Sequence, residues 1–81
     1  MIKITLQDTL DELDVTIHKL SVEYKIRSST LYKIISGETR QIRFDTLEVI
    51  LNSINDYAQN IGIDKIYTVT DIIDYEYERG E

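Results

Sequence analysis

Basic side chains are concentrated between residues 18 and 43 of this 81-residue chain. Six basic residues stand there against two acidic ones, which gives this basic segment (residues 18–43) a net charge of +4 in a chain of net charge -6. Lysine and arginine bind phosphate and carboxylate groups through charge and hydrogen bonds, and salt confines that attraction to short range. The pattern therefore predicts a local site for an anionic partner. Its cations are Lys19, Lys25, Arg27, Lys33, Arg40 and Arg43.

The chain on either side of the basic segment is acidic. Residues 1–17 contain one basic and four acidic residues, and residues 44–81 contain two basic and nine acidic residues. The acids of the first stretch share the polar face of an amphipathic pattern, so we interpret them as a solvated helix face. We do not interpret them as a catalytic pair.

Residue combinations for catalysis or metal binding are missing from the sequence. There is no cysteine, and the one histidine, His18, has no partner at a metal-ligand spacing. No nucleophile–base pair and no phosphate-binding glycine loop is present, so we expect no enzyme, cofactor or metal. No apolar run approaches the roughly 20 residues of a membrane helix, and no signal-peptide pattern is seen. We therefore expect a cytoplasmic protein that does not bind membranes.

The middle of the chain has the spacing of two short helices, and these must position the central cations. Apolar residues predict helices over residues 17–24 and 28–36, separated by a break at residues 25–27. Thr16 is expected to cap the first helix and Gly37 to end the second. The side chains expected to face inward are Leu20, Tyr24, Leu31 and Ile34.

Two longer patterns flank this pair of helices. A leucine repeat predicts a helix that begins at Leu6, with Thr5 as its cap. Heptad-like spacing predicts another helix from Phe44 to about residue 60, and Gly62 is expected to stop it.

The two ends of the chain complete an all-α fold of five helices in one domain, residues 1–81. Thr70 is expected to cap a short last helix over residues 71–75. Alternation over residues 2–5 predicts either a minor strand that pairs near residues 65–69 or an irregular lead into the first helix.

Five small or apolar residues in the middle of the chain have the mutual spacing of a known family. They are Leu20, Ser21, Ile26, Leu31 and Ile34. The pattern resembles the helix-turn-helix of Cro/C1-type (lambda-repressor-like, XRE family) DNA-binding domains. The stretch SSTLYKIISG resembles that family's recognition helix, and FDTLEVILNSIN resembles the helix that follows it. The resemblance covers roughly residues 5–75 and implies a five-helix lambda-repressor-like bundle.

The chain departs from the usual family pattern at three positions. Lys25 stands in the turn where the family usually has glycine, because the backbone there often has a positive φ. Ile17 replaces a common glutamine, and Arg27 replaces the usual serine cap.

The resemblance implies that the chain binds double-stranded DNA as a small transcriptional regulator, of phage-repressor or antitoxin-like type. The helix over residues 28–36 would then lie in the major groove, with its first turns at the base edges. The residues expected to contact bases are Ser28, Ser29, Tyr32 and Lys33. Those expected to contact phosphates are Ile17 (through its backbone amide), His18, Lys19, Lys25, Arg27, Arg40 and Arg43.

The same resemblance implies a homodimer, because one small domain reads too few base pairs to bind tightly. Tyrosine and isoleucine in the C-terminal third are the expected interface, although they are equally well suited to covering the core. These residues are Tyr57, Ile61, Ile63, Ile66, Tyr67, Ile72, Ile73, Tyr75 and Tyr77.

A protein-binding adaptor or antirepressor remains the alternative function. Such a protein would keep the helix-turn-helix fold without binding DNA and would use its acidic surface on a protein partner. The net acidity, Ile17 and the small Ser28 and Ser29 pair favour this alternative.

Overall fold

A computed structural model describes residues 1–80 as five helices and one two-stranded antiparallel sheet. The bounds of the second, third and fourth helices agree with those expected from the sequence. Within residues 1–80, no helix combines the length and the apolar character needed to cross a bilayer. In chain order the elements are β1 (Ile2–Ile4), α1 (Leu6–Glu12), α2 (Ile17–Tyr24), α3 (Ser28–Ser36), α4 (Phe44–Asn60), α5 (Val69–Ile72) and β2 (Ile73–Tyr75).

The hydrophobic core joins side chains from all five helices. Burial of each large apolar side chain contributes about 1.5–3 kcal/mol, so these residues fix how the helices pack. The expectation of inward-facing residues is confirmed for Leu20, Leu31 and Ile34, whereas Tyr24 is only partly buried. The large side chains that are completely buried are Leu6, Leu10, Leu20, Leu31, Ile50 and Ile54.

Both expected caps of the α2–α3 pair are present. The hydroxyl of Thr16 accepts a hydrogen bond from the backbone N–H of Lys19 at 3.0 Å, which satisfies one of the free donors of α2. Gly37 ends α3 in the left-handed conformation, with φ of 81°. These two residues therefore fix where the pair of helices begins and ends.

The turn between α2 and α3 depends on a left-handed residue that is not glycine. Lys25 has φ of 55° and ψ of 40°, as the resemblance predicted for this position. Its conformation lets the backbone N–H of Ile26 donate to the carbonyl oxygen of Ser21 at 3.1 Å. The Ser21 hydroxyl in turn donates to the carbonyl oxygen of Ile26. Ser21 therefore binds both backbone groups of Ile26, its N–H and its carbonyl.

Substitution at Lys25 tests the cost of this turn. We expect Lys25→Gly to be about 0.5–1 kcal/mol more stable than Lys25→Ala, because glycine adopts a positive φ without steric cost. Both variants lose the same charge, so their difference reports the backbone alone. Urea unfolding followed by circular dichroism measures it, and equal midpoints for the two variants would contradict this account of the turn.

The expected strand pairing is wrong. β1 pairs with β2 at residues 73–75, in the register Ile2 opposite Tyr75 and Ile4 opposite Ile73, and not with residues 65–69. The last helix begins earlier than expected, because Thr68 caps it in a capping box with Asp71. α5 then ends after one turn, and residues expected to be helical become β2.

Asn55 of α4 binds the backbone of the segment before α5. Its side-chain oxygen accepts from the Tyr67 backbone N–H at 2.7 Å, and its amide donates to the Tyr67 carbonyl at 3.0 Å. The peptide groups of Tyr67 are therefore occupied by a side chain and are not available to β1.

Two threonine hydroxyls, one in α1 and one just before it, form hydrogen bonds to the backbone of α5. Thr9 donates to the carbonyl oxygen of Asp71 at 2.6 Å, and Thr5 donates to the same oxygen at 3.0 Å. The Thr5 side chain thus stabilises the contact between the chain ends, and it makes no capping hydrogen bond to α1. This contact and the β1–β2 sheet hold the two ends of residues 1–80 together.

Candidate nucleic-acid interface

The outer face of α3 presents all four residues that were expected to contact bases. Ser28, Ser29, Tyr32 and Lys33 lie at helical spacing on one side of the helix and are exposed. Leu31 and Ile34, with Leu20 from α2, bury the opposite side in the core. Packing of the buried side therefore fixes the direction in which the exposed side faces.

Lys33 and Arg43 line one groove between α3 and the start of α4. The loop over residues 37–43 and Thr46 complete its walls. Arg43 has one carboxylate neighbour, Asp45 at 3.4 Å, and both side chains are more than four-fifths exposed. Such an exposed pair contributes little, so Arg43 remains available to an external anion.

Cations of the basic segment form fewer ion pairs than those in the rest of the chain. Outside it, Lys3 pairs with Glu76, and Lys65 pairs with Glu12 at 3.3 Å. Inside it, only Arg43 has a carboxylate partner within the residues that the structure describes. Charges that the fold leaves unpaired are the ones that can bind a partner. The remaining five cations of the segment, all exposed, are Lys19, Lys25, Arg27, Lys33 and Arg40.

Two cations of α2 and its turn face α4. The ammonium nitrogen of Lys19 lies 5.6 Å from the centre of the Tyr57 ring. Lys25 borders a shallow pocket with Asp45 and Val49 at the start of α4. Lys33 and Arg43 thus share a groove that Lys19 does not line, because Lys19 packs over Tyr57 toward the C-terminal end of α4.

The start of α2 lies beside the outer face of α3. Ile17, His18 and Tyr32 line one groove there. The Ile17 side chain packs against the core, so only its backbone amide is offered at the helix N-terminus. The structure therefore brings His18 and Ile17 next to Tyr32 on the outer face of α3.

Two carboxylates on the edge of this groove were missed by the sequence interpretation. Asp11 at the end of α1 and Asp14 in the next loop line the same groove as His18 and Tyr32. The amphipathic pattern of α1 indicates only a solvated face for these acids. Asp14 has a φ of 54°, which turns the chain sharply after α1. The short connection between α1 and α2 was the only sequence signal for this proximity. One edge of the α3 face is therefore acidic and the other basic.

Tyr24 attaches the end of α2 to α4. Its hydroxyl donates to a carboxylate oxygen of Asp56 at 2.7 Å. Burial is the main cause and this hydrogen bond the second cause that raise the pKa of the Tyr24 hydroxyl to about 12. The contact helps to hold the two-helix unit against the longest helix.

This raised pKa makes the Tyr24–Asp56 contact dependent on pH. The folded pKa lies above the ordinary value of 10, so the stabilisation is fully present below pH 10 and is lost between about pH 10 and 12. We expect Tyr24→Phe to cost about 1 kcal/mol at pH 8 and close to nothing near pH 12. Urea unfolding of both proteins across this range measures it. A difference that stays constant with pH would contradict the assignment.

The expected dimer residues are not one surface. Tyr57, Tyr67 and Ile72 are 8%, 2% and 2% exposed and belong to the core, so their assignment to a dimer interface is wrong. They were misplaced because the chain segment after α4 folds back over α1 and α4 instead of projecting from them. Ile63 and Ile73 are partly buried. The exposed members of the set are Ile61, Ile66, Tyr75 and Tyr77.

Residues 1–80 contain no group of three or more histidine, cysteine or acidic side chains placed to hold a metal ion. No family model matches the chain, and no curated protein or solved structure matches it either. The geometry of the α3 face and the charges around it are therefore the evidence for a function.

Proposed function

We propose that this protein binds double-stranded DNA as a small transcriptional regulator. The observation that carries the proposal is a pair of exposed cations without a carboxylate partner at α3, Arg27 and Lys33, with the weakly paired Arg43 in the groove of Lys33, in a chain that is otherwise acidic. In this proposal α2 and α3 form a helix-turn-helix within a lambda-repressor-like bundle, and α3 enters the major groove.

The exposed residues of α3 suit base edges in different ways. Lys33 donates hydrogen bonds that guanine O6 and N7 accept. Ser28 and Ser29 donate or accept at either kind of base pair, and the Tyr32 ring packs on a thymine methyl group. Two serines specify little, so the proposed readout also depends on the shape of the duplex.

The cations on the Lys33 side suit the phosphate backbone. Arg27 precedes the first turn of α3, and Arg43 shares the groove of Lys33. Each phosphate contact releases about 0.9 counterion, so four or five contacts weaken binding roughly 10²- to 10³-fold between 50 and 200 mM salt. His18 and the Ile17 amide would contact the backbone from the other side of α3.

Charge reversal at Lys33 tests this proposal. We expect wild type to bind random duplex DNA at low salt, and Lys33→Glu to weaken binding at least about tenfold, because one contact becomes a repulsion. Fluorescence anisotropy of a labelled duplex across a salt series measures both affinity and salt slope.

Arg79→Glu is the matched control for this experiment. Arg79 is exposed, lies outside the basic segment, and undergoes the same change of charge. We expect its affinity for DNA to stay within about twofold of wild type, because only local charges act strongly through salt. The proposal fails if wild type does not bind DNA at low salt, or if both variants lose affinity equally.

The acidic edge of the α3 face generates a second test. Asp14→Asn should raise the affinity for duplex DNA about threefold at low salt, because it removes a charge that repels phosphate near Tyr32. Asparagine tolerates the positive φ of Asp14, so the loop should not change. Asp64→Asn, at an exposed site between α4 and α5, is the control and should have no such effect. Equal affinities for the two variants would show that the acidic edge does not face DNA.

A protein-binding adaptor is the second candidate function. The position of Asp11 and Asp14 beside Tyr32 favours it, because carboxylates at this edge repel a phosphate backbone. The anisotropy titration separates the two functions, since an adaptor of this kind would not bind duplex DNA even at low salt.

A further inference from the structure

Phe44, the first residue of α4, is the most exposed large apolar side chain of residues 1–80, at 87% of its full accessibility. It does not belong to the core or to the partly buried side chains that pack against the core. A phenylalanine left in water forgoes the stabilisation that burial would provide. The fold therefore leaves one aromatic ring available to a second molecule.

The ring of Phe44 lies at one end of an apolar groove between α4 and α5. Leu47 and Leu51 line it from α4 and are held against the core, whereas Val69 lines it from α5 and is 45% exposed. The groove has a volume of about 470 Å³, within the range of sites that bury organic groups. We call it the α4–α5 groove, and its residues are Phe44, Leu47, Glu48, Leu51, Asn52 and Val69.

The two helices that build the α4–α5 groove are acidic. They contain four carboxylate side chains and no lysine, arginine or histidine. Glu48 is the charged residue in the groove lining itself. Arg43, just before α4, lines the groove of Lys33 and not this one. Opposite charges across an interface favour the matching partner, so the α4–α5 groove suits a molecule that is both apolar and basic.

We propose that the α4–α5 groove binds an amphipathic helix of another protein, one with lysine or arginine beside its apolar stripe. Leu51 is four residues from Leu47 and seven from Phe44, or about 6 and 10 Å along α4. Apolar side chains at positions i, i+4 and i+7 of a partner helix have the same spacings. A helix that lies along α4 can thus place three apolar side chains in the groove, with a basic side chain beside Glu48.

A second copy of this chain is a poorer occupant. A twofold contact through the groove would bring α4 of one molecule against α4 of the other. Both helices are acidic, and the two Glu48 carboxylates would approach each other near the axis, so like charges would oppose the contact. A basic partner turns the same carboxylate into a source of attraction.

Two synthetic helical peptides of about 15 residues test the proposal. Both have leucine at i, i+4 and i+7 in an alanine background, and the remaining charged positions are lysine in one peptide and glutamate in the other. We expect the lysine peptide to bind with a dissociation constant of about 10–100 µM, and the glutamate peptide at least about tenfold more weakly. NMR titration of the isotope-labelled protein measures both affinities, and the amide shifts should cluster in residues 44–52 and 69–72.

Phe44→Ser and Glu48→Lys distinguish the groove from a general attraction to an acidic protein. Phe44→Ser should weaken the lysine peptide at least about tenfold, because the exposed ring is lost. Glu48→Lys should weaken it about fivefold and strengthen the glutamate peptide, because the local charge is reversed. Both positions are exposed, so the circular dichroism spectra should not change. Tyr77→Ser and Glu78→Lys are the matched controls, exposed and outside the groove, and should stay within about twofold of wild type.

Several outcomes would overturn the proposal. They are failure of the lysine peptide to bind at about 1 mM, equal binding of both peptides, and a control variant that loses as much affinity as its counterpart. Amide shifts on a surface other than the α4–α5 groove would also overturn it. Shifts of the groove residues with protein concentration alone would show that a second copy covers the groove instead. DNA is absent from these titrations, so their failure would leave the proposed function unaffected.

Discussion

The hydrogen bonds around Lys25 are the constraint on which the rest of the molecule depends. Lys25 adopts a left-handed conformation, and the backbone and hydroxyl of Ser21 then hold Ile26 in place. The angle between α2 and α3 follows from this turn, and the core side of α3 then packs against α2. Because the core residues of α3 cannot rotate away, its polar side chains have one direction available to them.

The distribution of charge makes the outer face of α3 different from the rest of the surface. Two of the three cations outside the basic segment, Lys3 and Lys65, lie beside carboxylates, whereas Arg27 and Lys33 at α3 have no such partner among residues 1–80. The fold thus concentrates unbalanced positive charge on one part of an acidic molecule. Asp11 and Asp14 limit this region on one side, so the positive surface is an edge rather than a full face.

Local signals made much of the fold predictable, and long-range contacts made the rest unpredictable. The threonine cap at Thr16, the glycine at Gly37 and the helical spacing of α4 each act within a few residues, so sequence alone located them. The segment expected to pair with β1 is instead held by Asn55, which binds the backbone of Tyr67 across 12 positions of sequence. No pattern within either segment indicates that contact. The exposure of the α3 side chains was predictable from helical spacing, which is also a local signal. The position of Asp11 and Asp14 beside them depends on how α1 packs, and helical spacing does not indicate it.

The contact between the chain ends has a consequence for the order of folding. Thr9 bonds to a residue 62 positions away, and closing a loop of that length costs about 4 kcal/mol of chain entropy. The contacts of α2 with α3 and the Tyr24–Asp56 bond, which spans 32 positions, close smaller loops and cost less chain entropy. They can therefore form before Thr9 reaches Asp71. The helices that form the candidate interface can thus assemble before the ends of the molecule close.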